Sequence, residues 1–177
     1  RAGDVIPYVT KLIKKNNKSI KKILPPKLCP VCKSKTIKEK GEAVLRCSNK
    51  YGCYSQRIGQ IIHFISKKSF NIDGFGEKQA KQFFELQFIK KYEDIFKLQK
   101  FKKNIIQLEG WGEQSFLNLI KSIEISKKIS LDKFIYSLGI RFIGEINSEL
   151  LANEFNDIDS LVSAIKNKKI LGACLDV

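Results

Sequence analysis

The sequence predicts an α+β protein that is mostly α-helical, and three observations indicate this fold class. Residues 1–10 resemble the end of a β structure, because Val5 and Ile6 favour strands and Pro7 interrupts a ladder. Four cysteines follow between residues 29 and 53 at a spacing typical of zinc ligands. Beyond them, a unit of two nearby glycines followed by helically spaced apolar residues recurs, and this repeat predicts a helical domain.

Charge is distributed unevenly along the 177 residues, whose formal net charge is +15. Residues 1–70 hold 17 basic and 3 acidic side chains, whereas residues 71–177 hold 16 basic and 15 acidic ones. This difference predicts at least two modules. A basic chain favours a polyanionic partner, but 29 of the 33 basic residues are Lys, which codon bias partly explains. No apolar run approaches the ~18 residues of a spanning helix, so we expect no membrane partner.

Residues 11–26 are predicted to be a Lys-rich linker between two modules. Pro25 and Pro26 favour extended backbone just before the first cysteine of the next module. The alternative is a short amphipathic helix, whose apolar positions would be Leu12, Ile13, Ile20, Ile23 and Leu24.

The cysteines predict a zinc finger over residues 27–55. Their pattern is C-x2-C-x14-C-x5-C, formed by Cys29, Cys32, Cys47 and Cys53. Four thiolates fill a tetrahedral zinc site and leave no open position, so we expect one structural zinc and not a catalytic one. So short a segment buries little core, and the metal would supply its folding energy. The alternatives are disulfides, which require an oxidising compartment that nothing in the sequence indicates, and free buried thiols.

Between the two cysteine pairs the sequence predicts a β-hairpin. Its strands are residues 36–40 and 43–46, and Gly41-Glu42 forms the turn. The fifth thiol, Cys174, and the only histidine, His63, lie outside the four-cysteine pattern, and we expect both to be structural.

The glycine repeat has three copies, at residues 72–83, 108–119 and 138–151, with the third weaker because Phe142 replaces its first glycine. Paired glycines permit positive φ and close approach to the backbone. The helix that follows presents free N–H groups and the positive end of its dipole, which together attract a phosphate. The apolar residue between the glycines (Phe75, Trp111 or Ile143) would anchor each turn in the core.

This pattern is typical of helix-hairpin-helix motifs, which hold the duplex backbone without reading bases. We therefore predict a helix-hairpin-helix domain over residues 56–177. Its expected DNA contacts are Gly74, Gly76, Lys78, Gly110, Gly112, Gln114, Arg141 and Gly144. The alternative is a helical protein–protein module, and the third copy could be structural.

The sequence predicts no catalytic residue. Asn71-Ile72-Asp73-Gly74 is similar to the Lys-x-Asp-Gly motif of nucleotidyltransferases, but Asn71 stands where the adenylated lysine would be. The chain contains no other triad, paired-acid site or phosphate-binding P-loop.

The order of these features resembles the C-terminal half of bacterial NAD-dependent DNA ligases. The sequence RAGDVIP is followed by a linker, then by CPVC and two further cysteines, and then by the repeated hairpins. The resemblance implies that residues 1–10 close an OB-fold domain, followed by a zinc finger and hairpins. One departure is Cys53-Tyr54-Ser55-Gln56, where the family usually has Cys-Pro-Ala-Gln. The sequence also departs from the family in having neither a fourth hairpin nor a BRCT domain after Lys169. The adenylation domain is absent as well.

The resemblance further implies an enzyme that uses NAD and magnesium, in its complete form, to seal nicks in duplex DNA during replication and repair. This chain would grip nicked double-stranded DNA together with the remaining ligase domains in cis, in the bacterial cytoplasm near the nucleoid. Because it begins at Arg1 without Met and lacks the adenylation domain, we expect a piece that cannot ligate alone. Two alternatives are a stand-alone zinc and helix-hairpin-helix DNA-binding module, and a helical protein-interaction domain with a structural zinc.

Overall fold

The computed structural model describes residues 10–11, 24–39 and 41–167. Residues 1–9 of the predicted β tail (1–10), most of the predicted linker and Cys174 lie outside these residues.

The finger contains a short antiparallel hairpin. Strand β1 (Thr36–Ile37) pairs with β2 (Arg46–Cys47), so that Thr36 lies opposite Cys47 and Ile37 opposite Arg46. The ladder is shorter than the sequence predicts, and its second strand reaches one residue further, to Cys47. The side chains of Val44 and Leu45 are exposed, so they form no buried contacts that would support a longer ladder.

Helices make up most of the rest of the described chain, which confirms the predicted fold class. They are α1 (Tyr54–Ile65), α2 (Glu77–Glu85), α3 (Tyr92–Ile95), a 3-10 helix (Leu98–Phe101), α4 (Lys102–Ile105), α5 (Glu113–Ser126), α6 (Leu131–Ser137), α7 (Glu145–Glu154) and α8 (Ile158–Lys166). Within the described residues, none of these helices has the length and apolar character needed to cross a membrane.

The hydrophobic core is formed by residues from α1 through α5 in chain order and is rich in aromatic rings. Phe64 stacks on Phe70 at 4.2 Å between ring centroids. Phe83 is fully buried and lies 5.4 Å from Phe75 and 5.1 Å from Trp111. Because Phe75 and Trp111 come from the first and second glycine turns, this core fixes the two turns relative to each other.

The third copy, formed by α6 and α7, joins this core through α1. The Nε2 atom of His63 in α1 lies 2.8 Å from the carbonyl oxygen of Tyr136 in α6, and the two rings are 4.8 Å apart. A Cβ atom at Gly139 would lie 3.4 Å from the imidazole, and the φ of Gly139 is +62°. His63 thus connects two helices and lies outside the cysteine cluster.

Candidate metal centre and nucleic-acid interface

The four finger cysteines bring their sulfur atoms together at one point. All four Sγ atoms lie within 4.8 Å of one another, with 3.3 Å between Cys32 and Cys47 and 4.0 Å between Cys29 and Cys53. Zn–S bonds of ~2.3 Å in a tetrahedron require sulfurs about 3.8 Å apart, whereas a disulfide requires about 2.04 Å. The cluster therefore has the dimensions of a tetrathiolate zinc site, and its cysteines are not paired in disulfides.

Tight turns on both sides hold these sulfurs in place. In the first turn the N–H of Lys33 donates to the carbonyl oxygen of Cys29 at 3.0 Å, and Lys33 has a φ of +60°. In the second turn the N–H of Gly52 donates to Oδ1 of Asn49 at 2.9 Å. A Cβ atom at Gly52 would collide with that Asn49 side chain, so a larger residue here would displace the Asn49 side chain from this hydrogen bond.

The electrostatics of the cluster favour a bound cation. The hydroxyl and N–H of Ser34 stabilise the Cys32 thiolate and lower its pKa to about 6. The N–H of Asn49 favours the Cys47 thiolate, but burial and the neighbouring Cys32 and Cys29 groups outweigh it and raise the Cys47 pKa to about 12. Four thiolates cannot lie this close together without a positive charge between them, and a dication such as zinc supplies it.

The three glycine turns share one backbone conformation. In each, the N–H of the central apolar residue donates to the carbonyl three residues earlier, at 3.2, 3.0 and 3.0 Å in chain order. The preceding residue has positive φ, which is +73° at Gly74, +79° at Gly110 and +65° at Phe142. The third copy thus keeps the turn although phenylalanine replaces glycine, at a cost of roughly 1–2 kcal/mol.

Each turn delivers an open helix N-terminus. Gly76, Gly112 and Gly144 are the N-caps of α2, α5 and α7, and all three have extended backbone. A Cβ atom at Gly112 or Gly144 would meet no atom within 4 Å. The first N–H groups of such helices lack intrahelical partners and lie beside this open space, so a phosphate can approach them closely.

The first two turns flank one cleft of about 360 Å³. Three of the predicted DNA contacts, Gly74, Lys78 and Gly110, line it. Gln114 lies beside it and donates from Nε2 to Oδ1 of Asn118 at 2.9 Å. Four other predicted contacts, Gly76, Gly112, Arg141 and Gly144, are not among the residues lining this cleft.

Sequence reasoning did not identify several residues of the cleft, namely Gln79, Gln82, Ser115 and Asn118. A motif is found within one copy, whereas the cleft lies between two copies. One signal was available, because Gln82 and Asn118 both follow the second glycine of their copy by six residues.

Comparisons with known proteins agree with this arrangement. Residues 29–54 match the family model for the NAD-dependent DNA ligase C4 zinc finger domain, and residues 133–170 match that for the helix-hairpin-helix motif. A curated protein named DNA ligase from Pelagibacter ubique is 45% identical over 178 residues, which cover 96% of this chain. DNA ligases of Wolbachia pipientis wMel and Psychrobacter cryohalolentis are 39% and 40% identical, each over 97% of this chain.

The chain belongs to the NAD-dependent DNA ligase family. The chain spans about a quarter of the length of these relatives. The covered shares are 26%, 27% and 25% of the three proteins in the order named above. This ligase-family chain carries a four-cysteine zinc finger with one structural zinc.

Contacts between the finger of this ligase-family chain and the hairpin region include those of Tyr54 and Arg141. Tyr54, at the position where the family usually has proline, packs its ring 5.3 Å from Phe84 and donates its hydroxyl to Glu85 at 3.0 Å. Arg141 of the third turn forms ion pairs with Glu39, at 2.5 Å, and Glu42. Arg141 thus binds carboxylates of the finger.

Proposed function

We propose that this chain is the part of an NAD-dependent DNA ligase that holds duplex DNA around a nick during replication and repair. The observation that carries the proposal is the pair of identically folded glycine turns at Gly74 and Gly110, which flank one cleft and each lead to an open helix N-terminus. Two such N-termini, fixed by a shared core, offer two phosphate sites at a set separation.

In this proposal the backbone N–H groups at the starts of α2 and α5 bind phosphate oxygens. Gly76 and Gly112 leave room for the phosphates, and the exposed side chains of Lys78 and Gln114 add a charge and a hydrogen-bond donor. The N–H of Gly74 already donates to the Asp73 carboxylate at 3.0 Å, so it is not available to a phosphate. In this proposal Gly74 and Gly110 shape their turns through positive φ, and the N–H groups that follow them bind the phosphate. The prediction that Arg141 and Gly144 contact DNA stays a prediction.

The proposed zinc ligands are Cys29, Cys32, Cys47 and Cys53, within a finger of residues 27–55. When bound, zinc cross-links the two cysteine turns and thereby folds a segment that has little core. The finger would then connect the end of the OB fold (residues 1–10) and the linker (11–26) to the hairpin domain (56–177). The contacts of Tyr54 with Glu85 and of Arg141 with Glu39 support this connecting role.

The sealing reaction itself belongs to the complete ligase, with its remaining domains in cis and with NAD and magnesium. The 177 residues contain no Lys-x-Asp-Gly motif, and we expect the chain alone to bind DNA without joining nicks. Holding the nick ends would contribute to the rate by positioning the reacting groups. We place this work in the bacterial cytoplasm, on nucleoid DNA.

A duplex-binding experiment tests the proposal. Fluorescence anisotropy with two duplexes of unrelated sequence is expected to give the same Kd within about twofold, because the contacts go to phosphates. Affinity should fall linearly in a log–log plot against salt, with a slope of about −0.9 per phosphate neutralised. A nicked duplex should bind at least as tightly as an intact one. The absence of duplex binding would support the protein-interaction alternative, and a strong preference for one sequence would contradict backbone recognition.

A further inference from the structure

The cleft between the first two copies is lined largely by the same positions of the repeat from both copies. Counted from the second glycine of each copy, these positions lie three and two residues before it and three and six residues after it. They are Asp73, Gly74, Gln79 and Gln82 in the first copy and Glu109, Gly110, Ser115 and Asn118 in the second. A duplex also has two equivalent halves, because its antiparallel strands are related by twofold symmetry. The cleft is therefore suited to a ligand that presents one strand to each copy.

The charges in the cleft disfavour a phosphate at its centre. The carboxylates of Asp73 and Glu109 line it, against the single ammonium group of Lys78. The N-caps Gly76 and Gly112 are not among the lining residues, so the phosphate sites proposed above lie beside the cleft and not within it. An uncharged part of the duplex suits the cleft itself better, and base edges and sugars are its uncharged parts.

The amides of Gln82 and Asn118 are hydrogen-bonding side chains at one equivalent position of the two copies. The next residue in each helix, Phe83 in α2 and Leu119 in α5, is buried, so both amides are anchored at the border of the shared core. The Nε2 atom of Gln114 donates to Oδ1 of Asn118 at 2.9 Å. Because this bond uses the amide oxygen, Asn118 offers its Nδ2 group to a ligand as a donor.

The other polar pair of equivalent positions, Gln79 and Ser115, is less suited to a ligand. The Ser115 hydroxyl accepts the N–H of Gly112 at 2.8 Å and donates to the carbonyl oxygen of the same residue at 2.9 Å. These bonds hold the start of α5, so the Ser115 side chain serves the turn. The donors that both copies can present to the cleft are therefore the amides six residues after the second glycine.

Amide donors need acceptors, and the two grooves of DNA offer them differently. In the minor groove, purine N3 and pyrimidine O2 are acceptors in every base pair and in either orientation of the pair. In the major groove the pattern changes with each base pair, so contacts there would select a sequence. Because the proposed binding is independent of sequence, the minor groove is the one that fits these donors.

We propose that Gln82 and Asn118 are positioning residues that donate hydrogen bonds to minor-groove acceptors, one amide to each strand, while the helix N-termini hold the phosphates. These hydrogen bonds would set the depth and register of the duplex in the cleft without selecting a sequence. This role deepens the DNA-holding function proposed above and rests on it.

The first test compares three duplexes of one mixed sequence by fluorescence anisotropy with the whole 177-residue chain, under conditions in which all three remain double-stranded. In one duplex every purine is a 3-deazapurine, which lacks the minor-groove N3 acceptor. In another every purine is a 7-deazapurine, which lacks the major-groove N7 acceptor, and the third is unmodified. We expect the 3-deaza duplex to bind at least about threefold more weakly than the unmodified one, and the 7-deaza duplex to bind within about twofold of it.

The second test uses an amide variant that combines Gln82→Met with Asn118→Leu. The matched control combines Gln107→Met with Asn104→Leu, which are exposed amides outside the cleft. We expect the amide variant to bind the unmodified duplex about tenfold more weakly, because two neutral hydrogen bonds are lost. Its salt slope should equal that of the wild type, since no phosphate contact is lost, and it should no longer distinguish the 3-deaza duplex. The control should behave as the wild type does.

Equal wild-type affinity for the 3-deaza and unmodified duplexes would overturn the proposal, and this comparison does not depend on the folding of any variant. A larger loss with the 7-deaza duplex would place the contacts in the major groove and would also overturn it. The same holds for a folded amide variant that keeps wild-type affinity, still distinguishes the 3-deaza duplex or has a changed salt slope. In each of these cases the salt-dependent duplex binding of the wild type stands, whereas a wild type that binds no duplex would reject both the DNA-holding function and the role of the amides.

Discussion

Replacing Gly76 and Gly112 together with valine is expected to weaken duplex binding by about 100-fold. Each branched side chain would stand at a helix N-terminus, where the phosphate must approach the N–H groups. A hydrogen bond to a charged group contributes about 1.5–3 kcal/mol, so loss of one at each site removes at least ~3 kcal/mol. Anisotropy with a duplex of fixed sequence and salt concentration measures this change.

These two positions separate DNA binding from folding better than Gly74 and Gly110 do. Gly76 and Gly112 have φ values of −89° and −154°, which valine adopts readily. A Cβ atom at Gly112 meets no atom within 4 Å, and one at Gly76 meets only the end of the flexible Gln79 side chain at 3.3 Å. Loss of glycine as an N-cap costs up to about 1 kcal/mol at each site, so Tm should fall by only a few degrees.

The matched control is Gly59→Ala, an exposed glycine of α1 at which a Cβ atom also meets nothing within 4 Å. This substitution should leave duplex affinity unchanged and should raise stability by about 0.5–1 kcal/mol, as alanine replaces glycine within a helix. A double valine variant that keeps both its Tm and its wild-type affinity would show that DNA does not bind at these helix N-termini.

The second large effect is expected from Cys47→Ser, which should reduce the zinc content from about one ion per chain to near zero. Three remaining thiolates do not close the tetrahedron, and structural zinc contributes roughly 10–16 kcal/mol to folding of such sites. The finger should therefore lose its fold. The hairpin region has a core of its own, in which Phe83 and Phe116 are fully buried, so most of the helical circular dichroism should remain.

Elemental analysis of the dialysed protein measures the zinc content, and Cys174→Ser is the control because Cys174 is outside the four-cysteine pattern. The control should retain about one zinc ion. Stoichiometric zinc in Cys47→Ser would mean that the metal is bound by a different set of ligands.

The sequence was most informative where function depends on local backbone. The spacing Cys29-x2-Cys32 predicts a tight turn, and the glycines at 74 and 110 predict positive φ, because both signals act within a few residues. The contact between Arg141 and Glu39 could not be predicted, since these residues are 102 positions apart and meet only through packing of the finger on the third copy. The cleft between the copies was missed for the same reason.

Phe142 shows a limit of reasoning from residue type alone. Its replacement of the first glycine predicts a weakened third turn, yet its φ is +65° and the hydrogen bond from Ile143 to Ile140 is present at 3.0 Å. The surrounding structure imposes the backbone conformation on a residue that disfavours it. The backbone of the third copy is therefore retained.

The central claim is that the glycine turns, and not the basic finger, hold the duplex, although residues 1–70 carry nearly all of the net charge. The most direct test of this claim is a titration of the ¹⁵N-labelled chain with a nicked duplex, in which the chemical shifts of the backbone amides are measured. The largest changes are predicted at residues 74–78 and 110–114. Changes confined to the lysines of the finger, such as Lys33, Lys35 and Lys38, would contradict it.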